Sequence, residues 1–129
     1  MLTSRNFTRE EAITVMAIIS GSIAADLNID QRELNYINNL ICVFDITEQE
    51  KERFKSLHVE DAAPIISKMS QKKKHLVACL LTSGILADGR VHPLEERYLQ
   101  FVHSKCGLPI ETDINVALKV SGDFFVASL

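Results

Sequence analysis

Two short acidic segments of the chain hold the residues whose types and spacing could bind a metal ion. In the first segment, Asp26, Asn28 and Asp30 offer oxygen ligands at every second position. Glu33 follows Asp30 at the spacing of one helical turn. Hard cations such as Ca²⁺ and Mg²⁺ prefer clusters of oxygen ligands on a turn. The pattern therefore indicates a candidate divalent-cation site in this segment.

The first segment begins like an EF-hand calcium loop but does not continue as one. Gln31 stands at the sixth position of the loop, where an EF-hand requires glycine. Ile37 stands at the twelfth position, where an EF-hand uses a bidentate glutamate. An EF-hand is therefore excluded, and any cation would have to bind in a different geometry.

The acidic pattern occurs a second time, 62 residues further along the chain. Asp26 and Glu33 then coincide with Asp88 and Glu95. The same shift superimposes further identical residues, namely Ile23 on Ile85, Ala25 on Ala87 and Tyr36 on Tyr98. A repeat of this length indicates two copies of one supersecondary unit, each covering the apolar face of the other.

Helix capping is a competing interpretation of the same acidic residues. Asp30 can cap a helix with Glu33 at its third position, and Glu95 has the same place in the second copy. Asp26 and Asp88 are less well explained in this way, because each follows an alanine at a helix C-terminus. A negative charge there opposes the helix dipole unless the side chain caps the next turn or meets a cation. Both interpretations stay open at this point.

The elements that must position these residues are helices. Apolar residues recur at helical spacing and no segment alternates with period two, which predicts an all-α fold of about seven helices. The helices at 9–25 and 72–87 are apolar on more than one face, so we expect them to pair centrally about a pseudo-two-fold axis. Amphipathic helices follow each of them. We expect the last helix to run over about 112–120, because Gly122 should break it.

Local sequence signals place the helix starts. Thr8 with Glu11, Asp30 with Glu33, and Thr47 with Glu50 have the spacing of capping boxes. Pro93 suits the first position of the helix after the second acidic segment. We expect Tyr36 and Tyr98, at equivalent positions of the two copies, to pack around the pseudo-two-fold axis.

The composition and the net charge limit the types of protein to which the chain can belong. The 129 residues are 47% hydrophobic and carry a net charge of −3, which fits one domain over 1–129 with internal repeats at about 8–57 and 70–120. The net charge gives no general attraction to nucleic acid. Neither apolar run reaches the length of a transmembrane helix. The lysines at 72–74 have no aromatic residues among them, so we interpret them as a solvated face.

The cysteines and histidines show no recognisable site pattern. Cys42, Cys79 and Cys106 form no C-x-x-C pair and fall in apolar helical runs. We therefore expect reduced, buried cysteines and a cytoplasmic location. The four histidines show no H-x-x-x-H spacing, and no nucleophile with a paired base can be argued from the sequence. We therefore do not expect an enzyme.

The repeated motif also resembles a known family. Ala-Asp-x-x-(Ile/Val)-x-x-x-Glu joins an apolar helix to an amphipathic one at 25–33 and again at 87–95. In this the chain resembles the TerB-like domains linked to tellurite resistance, over about 8–120. The resemblance implies an all-helical, non-enzymatic bacterial cytoplasmic protein that acts near the inner membrane in stress or metal-related systems. It also implies divalent-cation binding through four residues, Asp26, Glu33, Asp88 and Glu95.

Two functions follow as expectations. The first is a TerB-like domain that binds a divalent cation of the Ca²⁺ or Mg²⁺ type through its duplicated acidic motif, with an unidentified protein partner and a peripheral association with the membrane. The alternative is a helical protein-interaction module or homodimer that has no metal site. Neither expectation involves nucleic acid or a transmembrane segment.

Overall fold

The computed structural model describes residues 2–23, 30–86, 93–109, 111 and 113–129, without the side chains of residues 22 and 23. Within these ranges the chain forms a short 3₁₀ helix, seven α-helices and no strand, which confirms the predicted all-α fold. The α-helices are α1 (Arg9–Ile23), α2 (Gln31–Val43), α3 (Glu48–Ser56), α4 (Val59–Ser67), α5 (Gln71–Ile85), α6 (Pro93–Cys106) and α7 (Ile114–Ala127).

Three of the helices begin at the predicted capping boxes. In each box the backbone N–H of the capping residue donates to a glutamate carboxylate in the first turn, over 2.8–3.1 Å. The pairs are Thr8 with Glu11, Asp30 with Glu33, and Thr47 with Glu50. Each box satisfies backbone donors that have no partner inside the helix, so these starts are fixed by local sequence.

The helix boundaries follow the 62-residue shift. α1 covers 9–23 and α5 covers 71–85, and α2 and α6 begin at residues 31 and 93. The two halves then differ. The first half continues with the short helices α3 and α4, whereas the second continues with the single longer helix α7.

The core is centred on α1 and α5, which pack against each other. Every residue over 12–19 in α1 and over 76–81 in α5 is buried. A helix that is apolar on most faces is stable only when neighbours cover all of them. Here α3 and α4 cover α1, and α7 lies along α5. Among the described residues, no helix is both long enough and apolar enough to cross a membrane.

The end of the last helix differs from the prediction. α7 runs through Gly122 to Ala127, so the expected end near residue 120 is wrong. A glycine inside a helix costs only about 1 kcal/mol relative to alanine. The next turn buries Phe124 in the core, and burial of such a side chain is worth about 1.5–3 kcal/mol. Tertiary packing therefore outweighs the local signal.

Two surface predictions also need correction. Cys42 is exposed, whereas Cys79 and Cys106 are buried as predicted. Cys42 faces outward because Leu40 takes the buried position at this end of α2. Lys73 is not part of a solvated face, since its Nζ lies 3.0 Å from a carboxylate oxygen of Glu11 and 5.3 Å from the ring centre of Phe7.

Candidate functional site

Two of the four predicted metal ligands lie in the described part of the chain. Asp26 and Asp88 fall outside the described residues. Glu33 and Glu95 are each the third residue of their helix, in α2 and α6, and both are buried, with 1% and 0% of their surface exposed. The repeat thus places two carboxylates at equivalent, fully covered positions. In the sequence, Asp26 and Asp88 belong to the connections that precede these two helices.

Local structure explains part of this placement. Oε1 of Glu33 accepts a hydrogen bond of 3.1 Å from the backbone N–H of Asp30. The Asp30 carboxylate in turn accepts from the N–H of Arg32 at 2.8 Å. Glu33 therefore completes a capping box, as the capping interpretation predicts. Glu95 follows Pro93 at the start of α6, so it has the same position relative to its helix.

Two other glutamates hold the same local position but lie nearer the surface. Glu11 and Glu50 complete the boxes that start α1 and α3, and their side chains stay 16% and 14% exposed. Each meets a basic side chain: Lys73 lies 3.0 Å from Glu11, and Nε of Arg9 lies 2.9 Å from Glu50. A first-turn glutamate can thus cap a helix without being buried.

The pKa values of these two surface glutamates reflect their partners. Hydrogen bonds from Arg9, and then from the backbone of Thr47, lower the pKa of Glu50 to about 2. For Glu11, burial acts to raise the pKa, but hydrogen bonds from Thr8 and Lys73 outweigh it and leave the pKa below its ordinary value. Both carboxylates are therefore charged at neutral pH.

The two tyrosines fix the helices that carry the buried glutamates. Tyr36 of α2 donates a hydrogen bond of 2.7 Å to the carbonyl oxygen of Leu80 in α5. Tyr98 of α6 lies against Gly21 of α1, where a β-carbon would collide with the tyrosine hydroxyl. Each amphipathic helix thus contacts the central helix of the other repeat. Burial raises the pKa of both tyrosines, that of Tyr98 to about 12.

A second group of ligand-type side chains lies elsewhere. His75 and Cys79 of α5 meet Glu111 from the connection between α6 and α7, with one ligand atom from each within 4.8 Å of the others. The sequence contained a local signal for this group, because His75-x-x-x-Cys79 places both side chains on one helix face. This spacing belongs to neither the H-x-x-x-H nor the C-x-x-C pattern. Glu111 had no sequence signal.

The outer flank of α7 is apolar and exposed. Four apolar residues lie along this flank and just beyond its C-terminal end and are about half-exposed or more, namely Ile114, Leu118, Val126 and Leu129. Beside it, a groove of about 290 Å³ separates α7 from the end of α2, lined by Asn39, Cys42, Val43, Phe125, Val126 and Leu129. We call the row of exposed apolar residues, together with this groove, the α7 flank. It is a candidate contact surface for another protein.

Comparison with known proteins identifies the fold but no activity. No family model matches the chain, and no curated protein matches it. Among solved structures, the chain is similar to the crystal structure of a protein of unknown function from Porphyromonas gingivalis, with a TM-score of 0.72. The two are 20% identical over 95% of this chain and 99% of the other. At this identity the similarity shows a shared fold alone.

Proposed function

We propose that this protein is a non-enzymatic helical domain that binds a divalent cation of the Ca²⁺ or Mg²⁺ type at its duplicated acidic motif. The observation that carries the proposal is the complete burial of Glu33 and Glu95 at equivalent positions of the two repeats. Asp26 and Asp88 would supply further oxygen ligands from the preceding connections.

The depth of the two glutamates supports this proposal. A carboxylate is costly to bury unless hydrogen bonds, an opposite charge or a metal ion compensate for the lost water. Glu11 and Glu50 cap their helices equally well while partly exposed, so capping does not require such depth. A cation bound beside the deep carboxylates would add to the interactions that they already make, and the repeated Asp would complete an oxygen-rich set.

The resemblance to TerB-like domains favours the same proposal. It would place the protein in the bacterial cytoplasm near the inner membrane, in a stress or metal-resistance system. These statements about location and system are part of the proposal, and they depend on cation binding by the acidic motif.

A thermal melt in the presence of ions tests the proposal. After EDTA treatment, millimolar Ca²⁺, Mg²⁺ or Mn²⁺ should raise the Tm by roughly 5 °C or more if the ion is far above its Kd. Glu33→Gln with Glu95→Gln should abolish the rise, as should Asp26→Asn with Asp88→Asn. The matched control is Glu11→Gln, which removes a capping glutamate outside the motif and should keep the rise.

Two outcomes would contradict the proposal. The first is a Tm of the unmodified protein that no ion changes, which would leave the motif with a capping role only. The second is a control variant that loses the ion effect as fully as the motif variants do, which would mean that ions bind the surface acids in general.

A second candidate function is protein binding through the α7 flank. The observation in its favour is the row of exposed apolar side chains, since such rows mark contact surfaces more often than isolated exposed residues do. Sedimentation equilibrium would test whether the partner is a second copy of the chain. In that case Leu118→Lys should make the protein monomeric and leave its Tm at low concentration unchanged.

A further inference from the structure

The side chains of His75, Cys79 and Glu111 converge on one point at the side of α5. Nε2 of His75 lies 2.9 Å from Oε1 of Glu111 and 3.7 Å from Sγ of Cys79. We propose that these three residues bind one Zn²⁺ ion. This site is separate from the acidic motif in both residues and ligand chemistry, so it does not depend on the function proposed above.

The spacing of the three ligand atoms is close to that of a tetrahedral zinc site. Bonds of about 2.0 Å to nitrogen or oxygen and about 2.3 Å to sulfur place tetrahedral ligands roughly 3.4–3.6 Å apart. The three atoms here all lie within 4.8 Å of one another. A shift of roughly 1 Å would therefore bring them into coordination distance, and rotation of the partly exposed side chains of His75 and Glu111 can supply it.

The fold holds each ligand from a rigid element or by a hydrogen bond. His75 and Cys79 are one turn apart on α5, so their side chains share a face. Oε2 of Glu111 accepts a hydrogen bond of 3.1 Å from the backbone N–H of Asp113, which caps α7. This bond leaves Oε1 facing His75. Such outer contacts orient metal ligands and tune their affinity.

The geometry argues against a catalytic Cys–His–Glu triad. In a triad the histidine uses one ring nitrogen for the nucleophile and the other for the acid. Here Nε2 of His75 faces both the thiol and the carboxylate, as a shared metal ion would require. Cys79 is also completely buried, so its sulfur is not accessible to a substrate in this structure.

The ligand set selects the metal. A thiolate and an imidazole favour Zn²⁺ over Ca²⁺ or Mg²⁺, which bind oxygen. On binding, the thiol of Cys79 loses its proton to solvent and neutral His75 presents the lone pair of Nε2. Since the metal displaces this proton, affinity should rise with pH. The side chain of His75 is 42% exposed, so solvent reaches this side of the cluster.

Cobalt provides the test, because Co²⁺ occupies zinc sites and reports a thiolate ligand through its charge-transfer absorption. The protein, treated with EDTA and kept reduced, should bind one Co²⁺ with this absorption, and Zn²⁺ should displace it. Cys79→Ala should lose the absorption, whereas Cys106→Ala, which removes another buried thiol, should keep it. Glu33→Gln with Glu95→Gln should leave it unchanged.

His75→Gln provides a variant at a partly exposed position, where the fold should tolerate the change. It should weaken Co²⁺ affinity by about 100-fold or more, since even changes to outer contacts cost about 10- to 100-fold. The proposal is overturned if the unmodified protein shows no thiolate absorption with excess Co²⁺. It is equally overturned if the absorption survives in Cys79→Ala or if His75→Gln leaves the affinity unchanged.

Discussion

Glu33 and Glu95 differ from Glu11 and Glu50 in depth, although all four occupy the third position of a helix. The side chains of the surface pair remain 14–16% exposed, whereas the deep pair has only 1% and 0% of its surface exposed. A helix-start motif therefore fixes the local hydrogen bonds of a glutamate but not its environment. The environment depends on where the helix lies against the core, and it decides what the charge can do.

The largest expected effect comes from removing a deep carboxylate. Glu33→Ala removes the acceptor of the Asp30 N–H and leaves a cavity at a fully covered position, and it should lower the free energy of unfolding by about 2–4 kcal/mol. Glu50→Ala, which removes a partly solvated carboxylate, should cost about 1 kcal/mol. Urea denaturation of both variants, in EDTA, measures the difference. Equal losses of stability in the two variants would mean that the burial of Glu33 adds nothing to its role in capping the helix.

A smaller effect should come from the contact that holds α6, and with it Glu95, against α1. Gly21→Ala puts a methyl group against the hydroxyl of Tyr98 and should destabilise the fold by about 1–3 kcal/mol. Gly122→Ala is the matched control, because its β-carbon meets open space in α7. It should stabilise the fold by about 0.5–1 kcal/mol. Thermal or urea unfolding measures both changes in stability. A stabilising effect of Gly21→Ala would contradict the close contact between Gly21 and Tyr98.

The smallest effect should appear in how the stability contributed by Glu50, one of the surface pair, changes with pH. The pKa of Glu50 falls from 4.5 to about 2 in the folded protein. Between these values the unfolded chain binds more protons, so the contribution of Glu50 to stability is present above pH 4.5 and is lost as pH falls toward 2. The Tm difference between the protein and Glu50→Gln should therefore shrink across this window. A difference that is constant with pH would contradict the ion pair with Arg9.

Features that depend on a few neighbouring residues could be predicted from the sequence. The capping boxes at Thr8, Asp30 and Thr47 join residues three apart, and the structure has all three. The burial of α1 and α5 followed from their apolar faces. Gly122 shows the limit of local signals, because the packing of Phe124 in the next turn carries α7 past it.

Two features that depend on distant parts of the chain could not be predicted, namely the depth of Glu33 and the contact between Glu111 and His75. The depth of Glu33 is set by the packing of α2 on the central helices, which no local pattern encodes. Glu111 meets His75 across 36 residues of sequence. The i, i+4 spacing of His75 and Cys79 was visible in the sequence, but without the third ligand it indicated no site.

Paramagnetic broadening by Mn²⁺ in amide NMR spectra tests the central claim most directly, because it locates the bound ion along the chain. If the acidic motifs bind divalent cations, substoichiometric Mn²⁺ should first weaken the amide signals beside Glu33 and Glu95, and the Glu33→Gln, Glu95→Gln double variant should lose this selectivity. Broadening that begins at the exposed acids of α3, or that spreads evenly over the protein, would contradict the claim.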